Sequence, residues 1–510
     1  MDSELLNVLA LIMSSLLFIV LVLKITRNLI KTEPSPNLPR GPWKLPIIGN
    51  IHNLITSSPH RKLRDLAKIY GPLMHLQLGE IFMIIVSSAE YAKEIMKTND
   101  LIFASRPHIL ASDILLYEST DLVYAPYGNY WRHLRKICTM ELLTQNRVKS
   151  FQPIREEEFT SLVKIIDSHK GSPFNLSEAI LSLIFDIISR SAFGMKSKSQ
   201  EQFLSVLKGV PVGVGFNIAD LFPSAKWLQL VTGLRSKFEK VHRQMDQTLE
   251  DIINEHKKQK STEDLVDVLL KLQDENGSNK DICLTINSIK AILLDIFLGG
   301  GDTSSSTIIW AMAEMIREPK TMKKAQVEVR EAFDMKGRVD ESCIDELKYL
   351  KSVVKETLRL HPPLPLVGRD CGQTCEIKGY HIPVKHKVIV NAWAIGRDPS
   401  YWTEPERFYP ERFIDNPIDY KGTNFEYIPF GAGRRMCPGS TLGLINVEMP
   451  LAFLLYHFDW KLPNGMKEED LDMSEEYGLS VSKKDDLYLI PVTARPILNR
   501  EASLQGKKGA

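Results

Sequence analysis

The stretch from Thr285 to Arg317 constrains this chain more than any other. It is mostly apolar, ends near Pro319, and is too long for an average surface helix. An apolar helix of this kind runs through the middle of a large core, and 510 residues are ample to build one. Yet Gly299, Gly300 and Gly301 interrupt its centre, each costing about 1 kcal/mol relative to alanine. Such a local violation usually marks function. In one reading the glycines open space for a flat cofactor and oxygen. Asp302 and Thr303 then place an acid and an alcohol beside that space, suited to relaying protons. In the other they form a packing notch, with the polar residues satisfied internally. The residues alone weigh the two evenly.

A second feature narrows the chemistry. From Phe430 to Gly439 a glycine-rich loop carries one cysteine, Cys437, with Arg434 and Arg435 just before it and an apolar, helix-like run, Leu442 to Leu455, just after. Backbone N–H groups, a helix N-terminus and positive charge favour the thiolate, the form that binds metal. Gly433 and Gly439 permit backbone conformations and close approaches that a Cβ would block. Phe430 is placed to shield the sulfur, and Arg435 to pair with an acidic group of a cofactor. No second Cys or His lies nearby, which makes tetrahedral zinc a poor fit. A lone thiolate suits an iron whose other ligands come from a macrocycle, which is haem. The bland alternative is a glycine-rich turn around a buried structural cysteine. The spacing Phe-x-x-Gly-x-Arg-x-Cys-x-Gly is similar to the haem-ligand signature of the cytochrome P450 family, with Phe430, Gly433, Arg435, Cys437 and Gly439 on its fixed positions.

Composition is that of an ordinary globular protein, and a net charge of +1 leaves no basic excess for nucleic acid. The six cysteines show no disulfide framework, and Cys371 and Cys375 read as loop residues rather than metal ligands. This suits a reducing, cytosol-facing compartment. Leu5 to Leu23 is nearly all apolar and long enough to span a bilayer. Its N-terminal flank is acidic (Asp2, Glu4), while Lys24, Arg27 and Lys31 follow it. That asymmetry predicts an uncleaved single-pass anchor with the rest of the chain in the cytosol. Prolines 34, 36, 39 and 42 then fix an extended, stiff hinge.

Further stretches follow the family's order. Residues 72 to 98 alternate around Gly79 and then turn helical, predicting a hairpin and a helix. Tyr127 to Lys136 resembles a helix whose Trp131 and Arg135, four apart on one face, meet the haem propionates in the family. By the same resemblance Arg369 reaches a propionate, although Gly368 stands where the family usually has proline and leaves that backbone less constrained. Asp302 and Thr303 fall on the oxygen-activation motif. Glu356 and Arg359, with Arg412 in Pro410–Phe413, occupy the places of a structural network behind the haem. His361 reads equally well as a haem-edge residue or an ordinary one. Leu110, Leu115, Gly299, Leu364, Val367 and Leu479 would line the substrate pocket, roofed by a segment around Val210 to Phe222.

The resemblance runs from the anchor to about Val492 and is greatest to the plant group that includes terpene hydroxylases of the 71D type. It implies a mainly α fold with small β-sheets, the cytochrome P450 fold, behind an N-terminal transmembrane helix. The expected organisation is an anchor with basic flank over 1–31, a hinge over 32–50, the catalytic domain over 51–497 and a polar, disordered tail over 498–510. The implied cofactor is haem b (iron protoporphyrin IX), with NADPH acting through a separate cytochrome P450 reductase. The implied activity is hydroxylation or epoxidation of a lipophilic plant metabolite with O2, first a sesquiterpene or diterpene, then an indole alkaloid or flavonoid. The implied place is the endoplasmic reticulum membrane, catalytic domain on the cytosolic side. A haem-thiolate isomerase or dehydratase is disfavoured, because such enzymes often lose the alcohol at Thr303 or lengthen the cysteine loop.

Overall fold

The computed structural model describes residues 8, 11–16, 18–20, 37–194, 217–258, 264–276, 284–336, 339–478 and 480–496. Most of the expected anchor, much of the expected roof segment, Leu479 and the tail lie outside these residues. No helix among the described residues is long and apolar enough to cross a membrane.

The architecture is mainly helical with small sheets. Helix α1 (Pro59–Tyr70) leads into a hairpin of β1 (Leu73–Leu78) and β2 (Ile81–Val86), paired Leu73 to Val86. At its turn Gly79 has φ +62°, and a Cβ there would sit 2.6 Å from the Leu221 carbonyl oxygen, so only glycine fits. Two later strands, β3 (Leu366–Asp370) and β4 (Lys387–Asn391), complete a sheet in the order β1-β2-β4-β3. Only the β2–β4 pairing is parallel. The hinge is not free from residue 37 onward. The Asn50 side chain donates to the carbonyls of Pro42 and Trp43 and accepts from the Gln77 N–H, stitching the segment to β1.

The helical body contains α2 (Leu110–Leu115), α3 (Asn129–Ile137), α4 (Gln152–Ser168), α5 (Leu176–Phe193), α6 (Leu234–Lys258), α7 (Ile286–Arg317), α8 (Pro319–Asp334), α9 (Lys348–Leu360) and α10 (Ser440–His457). The 32-residue α7 is the axis, packed against α5, α8, α9 and α10. Its start is set by Thr285, whose hydroxyl accepts the Ser288 N–H at 3.0 Å, an N-cap, and Pro319 opens the next helix after its end. From Ser304 to Ile316 every residue is buried; the hydroxyls of Ser305, Ser306 and Thr307 donate to the carbonyls of Gly301, Val481 and Thr303, which satisfies them there. Near the C-terminus, β5 (Glu475–Tyr477) and β6 (Val481–Lys483) form a hairpin against α7. Its turn is tied down by the Val481 N–H to the Pro363 carbonyl and the Ser306 hydroxyl to the Val481 carbonyl.

Candidate functional site

The cysteine loop is closed by its own backbone: Cys437 N–H donates to the Phe430 carbonyl and Met436 N–H to the Gly433 carbonyl, both at 3.0 Å. Gly433 has φ +71°, and a Cβ there would lie 2.1 Å from the Met96 carbonyl oxygen. Next to it, Asp100 accepts the Arg434 N–H at 3.0 Å and pairs with its guanidinium. Phe430 packs edge-on against Tyr420. Helix α10 begins three residues after Cys437, so its positive end faces the sulfur. The thiol is accessible to solvent yet enclosed by protein on nearly every side, the mark of a group lining an internal cleft. Burial pushes the Cys437 pKa up, and the Gly439 N–H, Arg135 and Arg106 oppose it only in part. The expectation that this loop lowers the pKa is therefore corrected: desolvation wins. A bound cation would reverse that balance in favour of the thiolate.

Several guanidiniums converge here. Arg435 donates from Nε to the Ala104 carbonyl at 2.6 Å and to the carbonyls of Leu122, Val123 and Ala125. Trp131 donates its indole N–H to the Leu122 carbonyl at 2.9 Å. Both residues are thus engaged with the loop carbonyls rather than left open for a carboxylate. The open donors belong to others. Arg369 is fully buried, and its Nε has no partner. Arg106 is fully enclosed, gives one donor to the Gly368 carbonyl at 2.6 Å, and also has an unpartnered Nε. Arg135 has no hydrogen-bond partner among the described residues and lies within electrostatic reach of Cys437. Crowding and burial hold Arg369 well below the usual arginine range and Arg435 near about 9. Such an array calls for anionic groups.

Arg106 was not singled out by sequence reasoning; one arginine ahead of Pro107 looks like any surface cation. Gly368 is also better held than expected. Its strand pairing to Ile389 fixes the backbone that a proline would otherwise restrain, and its carbonyl accepts from Arg106.

On α7 the two readings of the glycines divide by position. A Cβ on Gly299 would meet nothing within 4 Å, whereas one on Gly300 would lie 3.0 Å from Ile188, and one on Gly301 2.4 Å from the Phe185 ring. Gly300 and Gly301 are a packing notch for α5, and Gly299 is the open side. The helix runs through them without interruption. Thr303 donates its hydroxyl to the Gly299 carbonyl at 2.6 Å. Burial raises the Asp302 pKa, and the neighbouring Ser480 hydroxyl and N–H temper the rise. Ser480, next to the expected pocket residue Leu479, comes to Asp302 through the β5–β6 turn.

Among the expected pocket residues, Leu110 and Leu115 on α2 are buried in the main core, Val367 packs on the core beside the four-stranded sheet, and Leu364 is 52% exposed. Leu479 lies outside the described residues. His361 takes the ordinary role: it stacks on Trp310 at 4.0 Å and pairs with Glu314 at 2.7 Å. Behind the cleft, the fully buried Glu356 receives Arg359 at 2.7 and 2.8 Å, Arg412 at 3.0 Å and the Tyr409 N–H at 2.8 Å. Arg359 also donates to the carbonyls of Gly396, Pro405 and Arg407, fastening α9 to the segment that leads to the cysteine loop.

The cytochrome P450 family model matches residues 39–490. Cytochrome P450 71D11 of Lotus japonicus is 60% identical over 481 residues, covering 92% of this chain and 98% of that protein. Premnaspirodiene oxygenase of Hyoscyamus muticus is 50% identical, over 91% of this chain and 94% of that one. Tabersonine 6,7-epoxidase isoform 1 of Catharanthus roseus is 51% identical, over 92% and 95%. Among solved structures, a zebra fish cytochrome P450 with abiraterone superposes with a TM-score of 0.74 at 23% identity, covering 86% of this chain and all of that one. That last likeness concerns the fold.

Proposed function

The chain belongs to the cytochrome P450 family and is a P450 monooxygenase of the plant 71D type, and from that premise we propose that it oxygenates a lipophilic terpenoid, with electrons from NADPH delivered by a separate reductase. The residues present fit the family's haem. The accessible Cys437 thiol faces the cleft, and the unpartnered donors of Arg106 and Arg369, with Arg135, suit the two carboxylates of that cofactor. Haem bound there supplies the oxygen activation and electron transfer that side chains lack.

The chain's own part begins with Cys437, which holds the metal, while Phe430 and the enclosing loop exclude water. Trp131 and Arg435 hold the loop carbonyls behind the carboxylate-binding arginines. The Asp302 carboxyl, whose pKa burial raises, and the Thr303 hydroxyl carry protons toward the open side at Gly299. The glycine's empty flank leaves room for a substrate C–H bond, and positioning that bond is the protein's main contribution.

The terpenoid reading rests on the apolar character of the residues that the family resemblance assigns to the pocket, Leu110, Leu115, Leu364 and Val367, which offer few polar handles. A relative named for oxygenating a diene agrees with it. A second reading, an alkaloid substrate, is favoured by the equally similar tabersonine 6,7-epoxidase. The apolar run at Leu5–Leu23 supports a membrane-anchored enzyme of the endoplasmic reticulum with its catalytic domain in the cytosol. Co-expression with a plant NADPH reductase and feeding of pooled terpenes, indole alkaloids and flavonoids tests the proposal. An NADPH-dependent oxygenated terpene supports it; oxidation only in another pool keeps the mechanism and overturns the substrate class.

A further inference from the structure

A single turn, residues 121–125, is gripped from both sides. On one side its carbonyls are held: Leu122 accepts Trp131 Nε1 and Arg435, and Val123 and Ala125 accept Arg435. On the other side its N–H groups are held by two carboxyls. Asp121 Oδ2 accepts the N–H groups of Val123 and Tyr124 at 2.9 and 2.8 Å, and Asp295 Oδ2, from α7, accepts the Leu122 N–H at 2.7 Å. The turn therefore links the oxygen-side helix to the arginine of the cysteine loop.

The two carboxyls also touch each other. Asp121 is fully buried, and its second oxygen has no donor among the described residues. Two buried carboxylates in contact cannot both stay ionised; a proton held between them removes the repulsion and supplies the missing donor. The surrounding groups do not provide an alternative. Tyr124 on the turn, Tyr130 on α3 and Cys138 just beyond it are neutral neighbours, pushed upward first by burial and then by the charge of this acidic pair. Arg106 and Arg435 lie within electrostatic reach of Asp121, but the hydrogen bonds they make go to carbonyls. Asp220 adds further negative charge near Tyr124.

We propose that Asp121 and Asp295 share one proton, and that this proton fastens the 121–125 turn to α7 and so positions Arg435 and Trp131. Burial raises both carboxyls above the usual range; the charge of Asp121 adds to the rise at Asp295, the stronger of the two, whereas the bond with Asp295 tempers the rise at Asp121. A group whose folded-state pKa is raised stabilises the closed turn at low pH and loses that contribution as pH rises through the folded value. The turn is thus secured while the pair keeps its proton and released as rising pH turns the pair into two anions. Asp121 and Asp295 are positioning residues; neither needs to touch substrate.

The test compares the full-length holoprotein with Asp295→Asn. The asparagine still accepts the Leu122 N–H and donates permanently to Asp121. Amide exchange at Leu122, Val123 and Tyr124 is followed from mildly acidic to alkaline pH, each value being referred to the other protein at the same pH. We expect protection in the wild type to fall with rising pH while Asp295→Asn stays flat, and the alkaline limb of the product-formation profile to flatten with it. The same pH course in both proteins overturns the proposal. Asp121→Asn is the reciprocal variant. Should neither variant fold, infrared spectra of the wild type decide. A protonated-carboxyl band that persists well above neutral pH and bleaches in alkali supports the shared proton, and its absence overturns it.

Discussion

The guanidinium carbon of Arg435 lies 4.1 Å from the centre of the Trp131 ring, and both side chains donate to one acceptor, the Leu122 carbonyl. A stacked cation and an indole N–H thus share the work of holding one turn. Trp131→Phe keeps an aromatic face under the cation and removes the donor, a loss of about 1 kcal/mol. Trp131→Ala removes the face as well and leaves a cavity, at about 3–5 kcal/mol. Haem retained per protein and melting temperature should therefore rank wild type, then Phe, then Ala. Equal losses in the two variants would show that stacking contributes nothing.

Glu356 is fully buried and accepts from Arg359, Arg412 and the Tyr409 N–H, so its replacement tests the scaffold directly. Glu356→Gln leaves Arg359 buried without its counter-charge, which costs about 3–5 kcal/mol. Arg359→Lys should do nearly as badly, because an ammonium cannot reproduce the fork that reaches Glu356 and three carbonyls. We expect little soluble, haem-loaded protein from either variant. Normal yield and normal melting would remove the network from the list of stabilising features.

These two cases show where sequence reasoning reaches and where it stops. Thr285 to Arg317 was legible because its apolar length and the proline just beyond its end agree, and the structure differs only in making Thr285 the cap. The cysteine loop was legible because its spacing is short and local. Glu356 and Arg359, three apart, mean little alone and gain meaning from the order of later motifs. Arg106 and the Asp121–Asp295 contact were not legible, and Ser480 was legible only as the neighbour of Leu479, a residue expected at the pocket. Each depends on segments far apart in the chain: Ser480 meets α7 through a hairpin turn, and Asp121 meets Asp295 across 174 positions. The sign of the Cys437 shift was misjudged for a related reason. Neighbouring charges can be read from a motif, whereas the depth of burial cannot.

Acid should weaken the junction between the first helix and the C-terminal hairpin. Glu475 on β5 pairs with His60 and Arg61 on α1, and those contacts hold its carboxyl well below the usual range despite burial. A depressed carboxyl contributes stability above its unfolded pKa of about 4.3 and loses it as pH falls toward the folded value. Wild type should melt above Glu475→Gln at neutral pH, with the gap closing below about pH 4. A gap that stays constant with pH would mean that the lost contacts act through packing rather than charge.

The Thr303 hydroxyl and the Cys437 thiol separate cofactor binding from proton delivery. Cys437→Ala should lose the thiolate-type absorption spectrum and all turnover. Thr303→Ala removes the γ-methyl and the hydroxyl that bonds the Gly299 carbonyl and should still bind haem with the wild-type spectrum. It should consume NADPH mainly to release peroxide, with product per NADPH falling several-fold, since positioned acid–base groups contribute about 10²–10⁴-fold. Unchanged coupling of NADPH to product would count against the proton-relay role.

Adjacent glycines on α7 should respond oppositely to the same methyl group. Gly301→Ala drives a Cβ to 2.4 Å from the Phe185 ring, forcing the ring or α5 to move, at about 1–3 kcal/mol for overpacking. Gly299→Ala meets nothing within 4 Å and gains helix propensity of about 1 kcal/mol. The first variant should melt lower with its product pattern intact wherever it folds. The second should melt at or above wild type yet shift the position or rate of oxidation, because its methyl enters the space on the open side of the helix. Stability loss at Gly299, or an unchanged product pattern with full activity there, would place the open side away from the substrate.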